Sequence, residues 1–323
     1  MYVNSISTED TCKHENVEVS IRNDGHITYV ALRAIVVGEE LIVSYGHDYF
    51  KQVNYTRFEC GMSAIAIAAA RGDAGRVRDM IADRRREGKN VDSLVNERAH
   101  GWTPLHEASN RGHAEAVTAL VEGGAVVDQV TVKNGKTPLI LASEMGHKEA
   151  VNVLLDAGAF IERAGDNEMT ALNSACGNGH RDVAELLLDR GADVGQAKQD
   201  GVTALMGPCL NGHRAVAELL LDRGANVGQA RKDGMTALMM ACYGGHRDVA
   251  ELLLDRGSVV GQADKYGWTA LMIARHAKRG DVVELLLSRG NQRSPPRAAD
   301  ELPDHAELGR LASSRRIAVR TST

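Results

Sequence analysis

Aromatic side chains are scarce in this sequence: Phe, Trp and Tyr together make up 4% of 323 residues. Alanine and leucine are abundant instead, which suits many thin, closely packed helices better than one thick globular core. No apolar run approaches the ~18 residues that a helix needs to cross a bilayer, and no signal-peptide pattern opens the chain. A basic excess is also missing. The formal net charge of -5 argues against a broadly basic nucleic-acid surface. Cysteine is limited to five, of which Cys176, Cys209 and Cys242 recur 33 residues apart. That recurrence allows a metal or redox row, but a row of small buried thiols in a reducing compartment is the expectation. Together these absences predict a soluble chain of the cytoplasm or nucleus, with no membrane partner.

What is present is a period. The stretch from Gly179 to Gly191 returns from Gly212 to Gly224, with Ala215 where the first copy has Asp182, and again unchanged from Gly245 to Gly257. A period in this range marks a repeat architecture, in which each unit buries its apolar face against its neighbours. The register residues are Thr103, Thr137, Thr170, Thr203, Thr236 and Thr269, with Ser63 in an earlier, degenerate unit.

Each unit reads as helix, tight turn, longer helix and loop. The Thr hydroxyl caps the first helix. Pro104 and Pro138 fill the first helical position, where a missing N–H costs nothing, and Ala171, Ala204, Ala237 and Ala270 stand there in later units. A Gly-His pair makes the turn. In the second helix Val183, Leu186, Leu187 and Leu188 are expected to be buried, and Gly191 to supply the left-handed stop. The loop closes on turn dipeptides such as Asp200-Gly201 and Asp233-Gly234. Gly207 and Pro208 sit inside one first helix, which predicts a kink or soft point there. Lys278 and Arg279 replace Gly-His in the last unit, as a polar end cap requires.

The run from Gly101 to His113, with Thr103, Pro104, Leu105, His106 and Ala108 in order, is similar to the ankyrin repeat signature, as is each later unit. Six clear repeats and one degenerate repeat give the fold class: a mainly α ankyrin solenoid of helix-turn-helix units with hairpin loops, preceded by a small β segment. The resemblance implies a module that binds another protein, of unknown identity, and works as a monomer.

On such a stack the scaffold positions are constant, and the positions that vary on the inner face carry recognition. Here those are Trp102, Glu107, Asn110, Arg111, Lys136, Met145, Met169, Asn178, Asn211, Met235, Tyr243, Trp268 and His276. Exposed Trp, Tyr and Met are residue types that anchor interfaces. The alternative for Trp102 and Trp268 is that they cover the ends of the stack. The repeated histidines invite a metal reading, yet each belongs to a different repeat, and helices ~8–10 Å apart cannot bring two imidazoles to one zinc with ligands at ~2 Å. Arg181 and Glu185 read as a weak solvated pair. No Ser-His-Asp, paired-carboxylate, phosphate-loop or Cys-x-x-Cys arrangement rises above chance in the repeats, and no cofactor is expected.

Ahead of the repeats, residues 16–22 alternate as a strand, Asn23, Asp24 and Gly25 read as a turn, and second and third strands are expected over residues 27–32 and 41–45. The run Gly38, Glu39, Glu40, Leu41, followed by Tyr45, Gly46, Tyr49 and Phe50, resembles the closing portion of a SET methyltransferase domain. The resemblance implies Tyr45 as an active-site tyrosine, Asn16 as the asparagine preceding the last strands, S-adenosylmethionine as cofactor and protein lysine as substrate. The family's Asn-His pair is absent, because the chain reads Cys12, Lys13, His14, Glu15, Asn16, and Ser44 stands where Asp is usual. The first part of such a domain, with its Gly-rich cofactor loop, is expected before Met1. A lone tyrosine cannot assemble a catalytic constellation, so this chain is expected to carry no catalysis itself. The expected divisions are residues 1–57, a SET-like β fragment; residues 58–290, the repeats; and residues 291–323, a disordered tail with a mildly basic end at Arg310, Arg315, Arg316 and Arg320.

Overall fold

The computed structural model describes residues 62–289 and the backbone of two strands further toward the N-terminus. The third strand, Tyr45 and the tail lie outside the described residues. The strands, β1 (Val17–Ile21) and β2 (Ile27–Ala31), pair antiparallel with Val19 opposite Tyr29, on two of the stretches expected to be extended.

Seven helix pairs follow among the described residues. Their first helices are α1 (Ala64–Ala70), α4 (Pro104–Asn110), α6 (Pro138–Met145), α8 (Ala171–Asn178), α10 (Met206–Asn211), α12 (Ala237–Gly244) and α14 (Ala270–His276). Their second helices are α2 (Ala74–Arg86), α5 (Ala114–Glu122), α7 (Lys148–Asp156), α9 (Arg181–Asp189), α11 (Arg214–Asp222), α13 (Arg247–Asp255) and α15 (Gly280–Arg289). One short extra helix, α3 (Asp92–Val95), lies in the loop after α2. Each first helix packs on the next first helix and each second on the next second, so the repeats form two parallel layers.

The first-helix layer is the tighter one, because its contact faces are rich in alanine and glycine. Gly207 marks the limit: a β-carbon there would stand 3.1 Å from Cα of Gly177 in the helix before. In the second layer, Leu120, Leu154, Leu187, Leu220 and Leu253 recur at one register position and are fully buried, each contributing about 1.5–3 kcal/mol of transfer free energy. The structure corrects the expected core of α9. Ala184 is buried with Val183 and Leu187, whereas Leu186 and Leu188 are only half-buried. The counterparts of Leu186 in the next two copies, Leu219 and Leu252, are buried beside Ala217 and Ala250, so among these copies the half-exposure of Leu186 is particular to α9.

The Thr caps form as the spacing predicts. The hydroxyls of Thr103, Thr137, Thr170, Thr236 and Thr269 accept from the backbone N–H three residues on, each bond worth about 1 kcal/mol. Thr203 is the exception. Helix α10 starts only at Met206, and its first turn is tight, with Met206 N–H donating to the Thr203 carbonyl at 3.2 Å. Pro208 therefore falls in the first turn, where helix N–H groups have no intrahelical acceptor in any case. The expected kink takes the form of a late, shortened start.

Two contacts repeat from unit to unit. In the turns, Gly72, Gly112, Gly146, Gly179 and Gly212 hold φ between +74° and +84°, and the next repeat's histidine lies over each of them. His113, His147, His180 and His246 place Nε2 3.0–3.1 Å from first-helix carbonyls of the preceding repeat, those of Ala70, Asn110, Glu144 and Leu210. In the last repeat Arg279 Nε donates to the Tyr243 carbonyl instead. At the ends of the second helices an ion-pair ladder runs through Arg190–Asp156, Arg223–Asp189, Arg256–Asp222 and Arg289–Asp255 at 2.7–2.9 Å. Arg181 and Glu185 form the expected exposed pair at 3.3 Å.

Candidate functional site

The loops between repeats end in tight hairpins, which we call fingers. Ala197, Ala230 and Ala263 bridge to Thr203, Thr236 and Thr269. Gly201 and Gly234 take φ near +88°, where a side chain is strained. The asparagine-like trick that closes each turn is done by aspartate. Asp200 Oδ1 accepts from Val202 N–H, Asp233 Oδ1 from Met235 N–H, and Asp264 Oδ1 from both Tyr266 and Trp268 N–H, at 2.8–3.1 Å. Successive fingers are tied by Lys232 N–H to the Asp200 carbonyl and Lys265 N–H to the Asp233 carbonyl, both 2.8 Å. Between Glu168 and Gln199 this rung changes: the Glu168 carboxylate accepts from Gln199 N–H at 2.8 Å.

In two repeats the residue just before the Thr meets the residue eight positions on, near the C-terminus of the first helix. Lys136 and Glu144 form an ion pair, and the Trp268 and His276 rings meet edge to face with centroids 5.4 Å apart. By register, the face of fingers and first helices carries Trp102/Asn110, Lys136/Glu144, Met169/Gly177, Val202/Leu210, Met235/Tyr243 and Trp268/His276.

Most of the expected site residues lie on this face. Trp102 is half-buried and tilted against His106, and Glu107 pairs with Arg111 at 3.5 Å. Met145 and Asn178 are exposed; Met169, Asn211 and Tyr243 are half-buried. The amide groups of Asn178 and Asn211 are already engaged, donating to the carbonyls of Ser174 and Gly177. Met235 is a correction. It is 6% exposed and belongs to the core. Tyr45 lies outside the described residues. Sequence reasoning passed over Val202 and Leu210, which look like core residues by type, and Tyr266, which is 60% exposed at a finger tip. Their register positions, shared with Trp102, Asn110 and Asp233, were the available signal.

The titratable groups inside the stack are held neutral. Burial pushes the thiols of Cys176 and Cys242 up to about 12, and Cys209 upward as well. His106 is fully buried, and desolvation lowers it to about 4. Its Nδ1 accepts from Thr103 N–H at 3.1 Å, which leaves the proton on Nε2. The carbonyls of Gln129 and Lys136 lie close enough to oppose the shift, but neither hydrogen-bonds Nε2. His147 is also lowered by burial. Among the described residues no group of three His, Cys, Asp or Glu side chains is placed to hold a metal ion, and no helix is long and apolar enough to cross a membrane.

A family model described as "Ankyrin repeats (3 copies)" matches residues 34–131, 65–165, 161–231 and 224–294. Its first match begins inside residues 1–57. The chain is similar to the human ASB11 ankyrin repeat domain at 31% identity and TM-score 0.63, over 72% of this chain and 100% of that one. It is also similar to the ankyrin repeat domain of Bcl-3, described as a unique member of the IkappaB protein family. That likeness has 27% identity and TM-score 0.59, over 70% of this chain and 99% of the other. No curated protein sequence matches the chain.

Proposed function

The chain belongs to the ankyrin-repeat family, and we propose that it is a protein-interaction module that binds a partner through the face made by its fingers and first helices. The observation that carries this reading is a contrast within each repeat. The Gly-His turns, buried leucines and Arg–Asp ladder recur almost unchanged, while the finger–helix pairs change chemistry from one repeat to the next. Identical packing needs no such variety, and recognition does. Trp102, Glu107, Asn110, Arg111, Lys136, Met145, Met169, Asn178, Asn211, Tyr243, Trp268 and His276 are proposed as contacts, with Val202 and Leu210 added. The chain acts as a monomer in the cytoplasm or nucleus.

The test is affinity capture with the full chain against a variant carrying Val202→Glu and Tyr243→Ala, both checked for unchanged helicity. Partners lost from the variant support the reading. Partners retained by it, or by a chain lacking residues 58–290, sink it.

A second reading keeps residues 1–57 as the closing strands of a SET domain, with Tyr45 in an active site. The hairpin of β1 and β2 falls on two of the three expected strands, as it would for an unrelated β hairpin. The sequence lacks the family's Asn-His pair, so the fit is poor and no step is routed through the cofactor. Calorimetric titration of the full chain with S-adenosylmethionine decides it, and a null titration removes this reading.

A further inference from the structure

Neighbouring fingers are tied by a backbone rung, in which an N–H of one finger donates to a carbonyl of the finger before it. The rungs run from Val132 to Gly101, Asp166 to Asn134, Lys232 to Asp200 and Lys265 to Asp233, at 2.8–3.3 Å. The exception lies at the seam where α10 and α11 meet α8 and α9. There Gln199 N–H donates to the Glu168 carboxylate instead. Glu168 holds φ +60° at the register place that Gly135, Gly201 and Gly234 fill in other fingers. A rotatable side chain fixes the distance between two backbones less firmly than a carbonyl does.

The first helices at the same seam lack interlocking side chains. Seven residues after the Thr stand Asn110, Glu144, Leu210 and Tyr243, all half-buried, but in α8 Gly177. A β-carbon on Gly177 would meet nothing within 4 Å. Four residues after the Thr, α10 has Gly207 where α6 and α12 have Leu141 and Met240. Gly207 faces Gly177, its β-carbon position 3.1 Å from the Gly177 Cα. Side chains set into grooves fix the angle between packed helices, and two facing glycines provide no such key. Helix α10 also lacks the Thr203 cap and starts late. The second helices stay tied across this seam, Arg223 reaching Asp189 at 2.7 Å and Glu185 at 3.8 Å. A seam secured in one layer and smooth in the other is suited to hinge or shear motion.

We infer that the stack articulates at this seam. The repeats from α1 to α9 and those from α10 to α15 move as two plates about the Arg223–Asp189 tie. The finger-and-helix face changes its curvature there, and nowhere else to the same extent. This device belongs to the chain alone and does not depend on the interaction reading above.

The test measures distances between nitroxide labels carried on genetically encoded keto side chains, which leave the native cysteines untouched. Labels at Asp166 and Lys232 span the seam. Labels at Gln199 and Lys265 span the same number of repeats beyond it, and all four positions are exposed. In the full chain the distance distribution across the seam is expected to be about twice as wide as the control. The Gln199 amide is expected to exchange about tenfold faster than those of Lys232 and Lys265, after correction for intrinsic rates. The triple variant Glu168→Gly, Gly177→Leu, Pro208→Ala takes the residues found at the corresponding places in neighbouring repeats, and should narrow the wide distribution to that of the control. Equal widths in the unmodified chain, or equal exchange at the three amides, overturn the proposal. A wide distribution that survives in the folded triple variant overturns the assignment of the motion to this seam.

Discussion

Gly146 and His180, in consecutive repeats, share one volume: a β-carbon on Gly146 would stand 2.5 Å from Nδ1 of His180. The imidazole can lie there only because the turn beneath it has no side chain, and its Nε2 then reaches the Glu144 carbonyl at 3.0 Å. Gly146→Ala adds a strained left-handed alanine at φ +80° to that clash, so it should cost about 1–3 kcal/mol. Urea unfolding of the full chain measures it. A loss below roughly 0.5 kcal/mol, the scale of ordinary surface changes, would show that the histidine is not held by this contact.

The late start of α10 gives a second prediction. Pro208 stands where Ala175 and Ala241 occur in the flanking repeats. Pro208→Ala should restore a hydrogen bond to the Ala204 carbonyl and lengthen the helix, raising stability by about 1 kcal/mol after the gain in unfolded-chain freedom is subtracted. Amide exchange in residues 203–212 should be faster than in 236–245 before the change and comparable after it.

His106 makes the stack sensitive to acid. Its ring is neutral in the fold, with a pKa lowered to about 4, while the unfolded chain takes a proton near ~6.5. The unfolded state then binds the extra proton between those values. The stabilising contribution is present above ~6.5 and is lost as pH falls toward 4, amounting to roughly 2 kcal/mol at about pH 5. Asn173 does the same capping without titrating, its Oδ1 accepting from Thr170 N–H and Oγ1 at 3.3 and 2.7 Å. His106→Asn should therefore keep the cap and flatten this part of the pH profile. Parallel denaturation curves at about pH 7 and about pH 5 for both proteins give the comparison.

The ion-pair ladder should be real but shallow. Arg223 and Asp189 are 34% and 58% exposed, so a double-mutant cycle with alanine at both positions should return a coupling of about 0.2–1 kcal/mol. The coupling should shrink in about 1 M salt, where the screening length is only ~3 Å. A coupling unchanged by salt would point to packing of the arginine stem in place of charge.

Within one repeat, much of this was legible from the sequence. The Thr caps, the prolines at Pro104 and Pro138 and the stop at Gly191 each follow from backbone chemistry that a few adjacent residues determine. What escaped depends on the neighbouring repeat. Leu186 looks like core by type and is half-buried, while Leu219 and Leu252 at the same position of near-identical copies are buried. Met235 looks like an exposed anchor, but it is buried in the core. The histidines are turn residues by position, yet their hydrogen bonds reach backward into the preceding repeat. A period gives the spacing along the chain without the rotation and offset between units, and those two quantities decide such contacts.

In the ladder, Asp189 and Arg190 are adjacent in the chain, as are Asp222 with Arg223 and Asp255 with Arg256. Each copy consequently offers an acid to its successor and a base to its predecessor. A further copy spliced in at Gly191 or Gly224 would meet matching charges on both sides. Deleting one would leave no charge stranded. Gene duplication can therefore change the length of this protein in whole units with every seam already complementary, and the new fingers are free to diverge from the moment they appear.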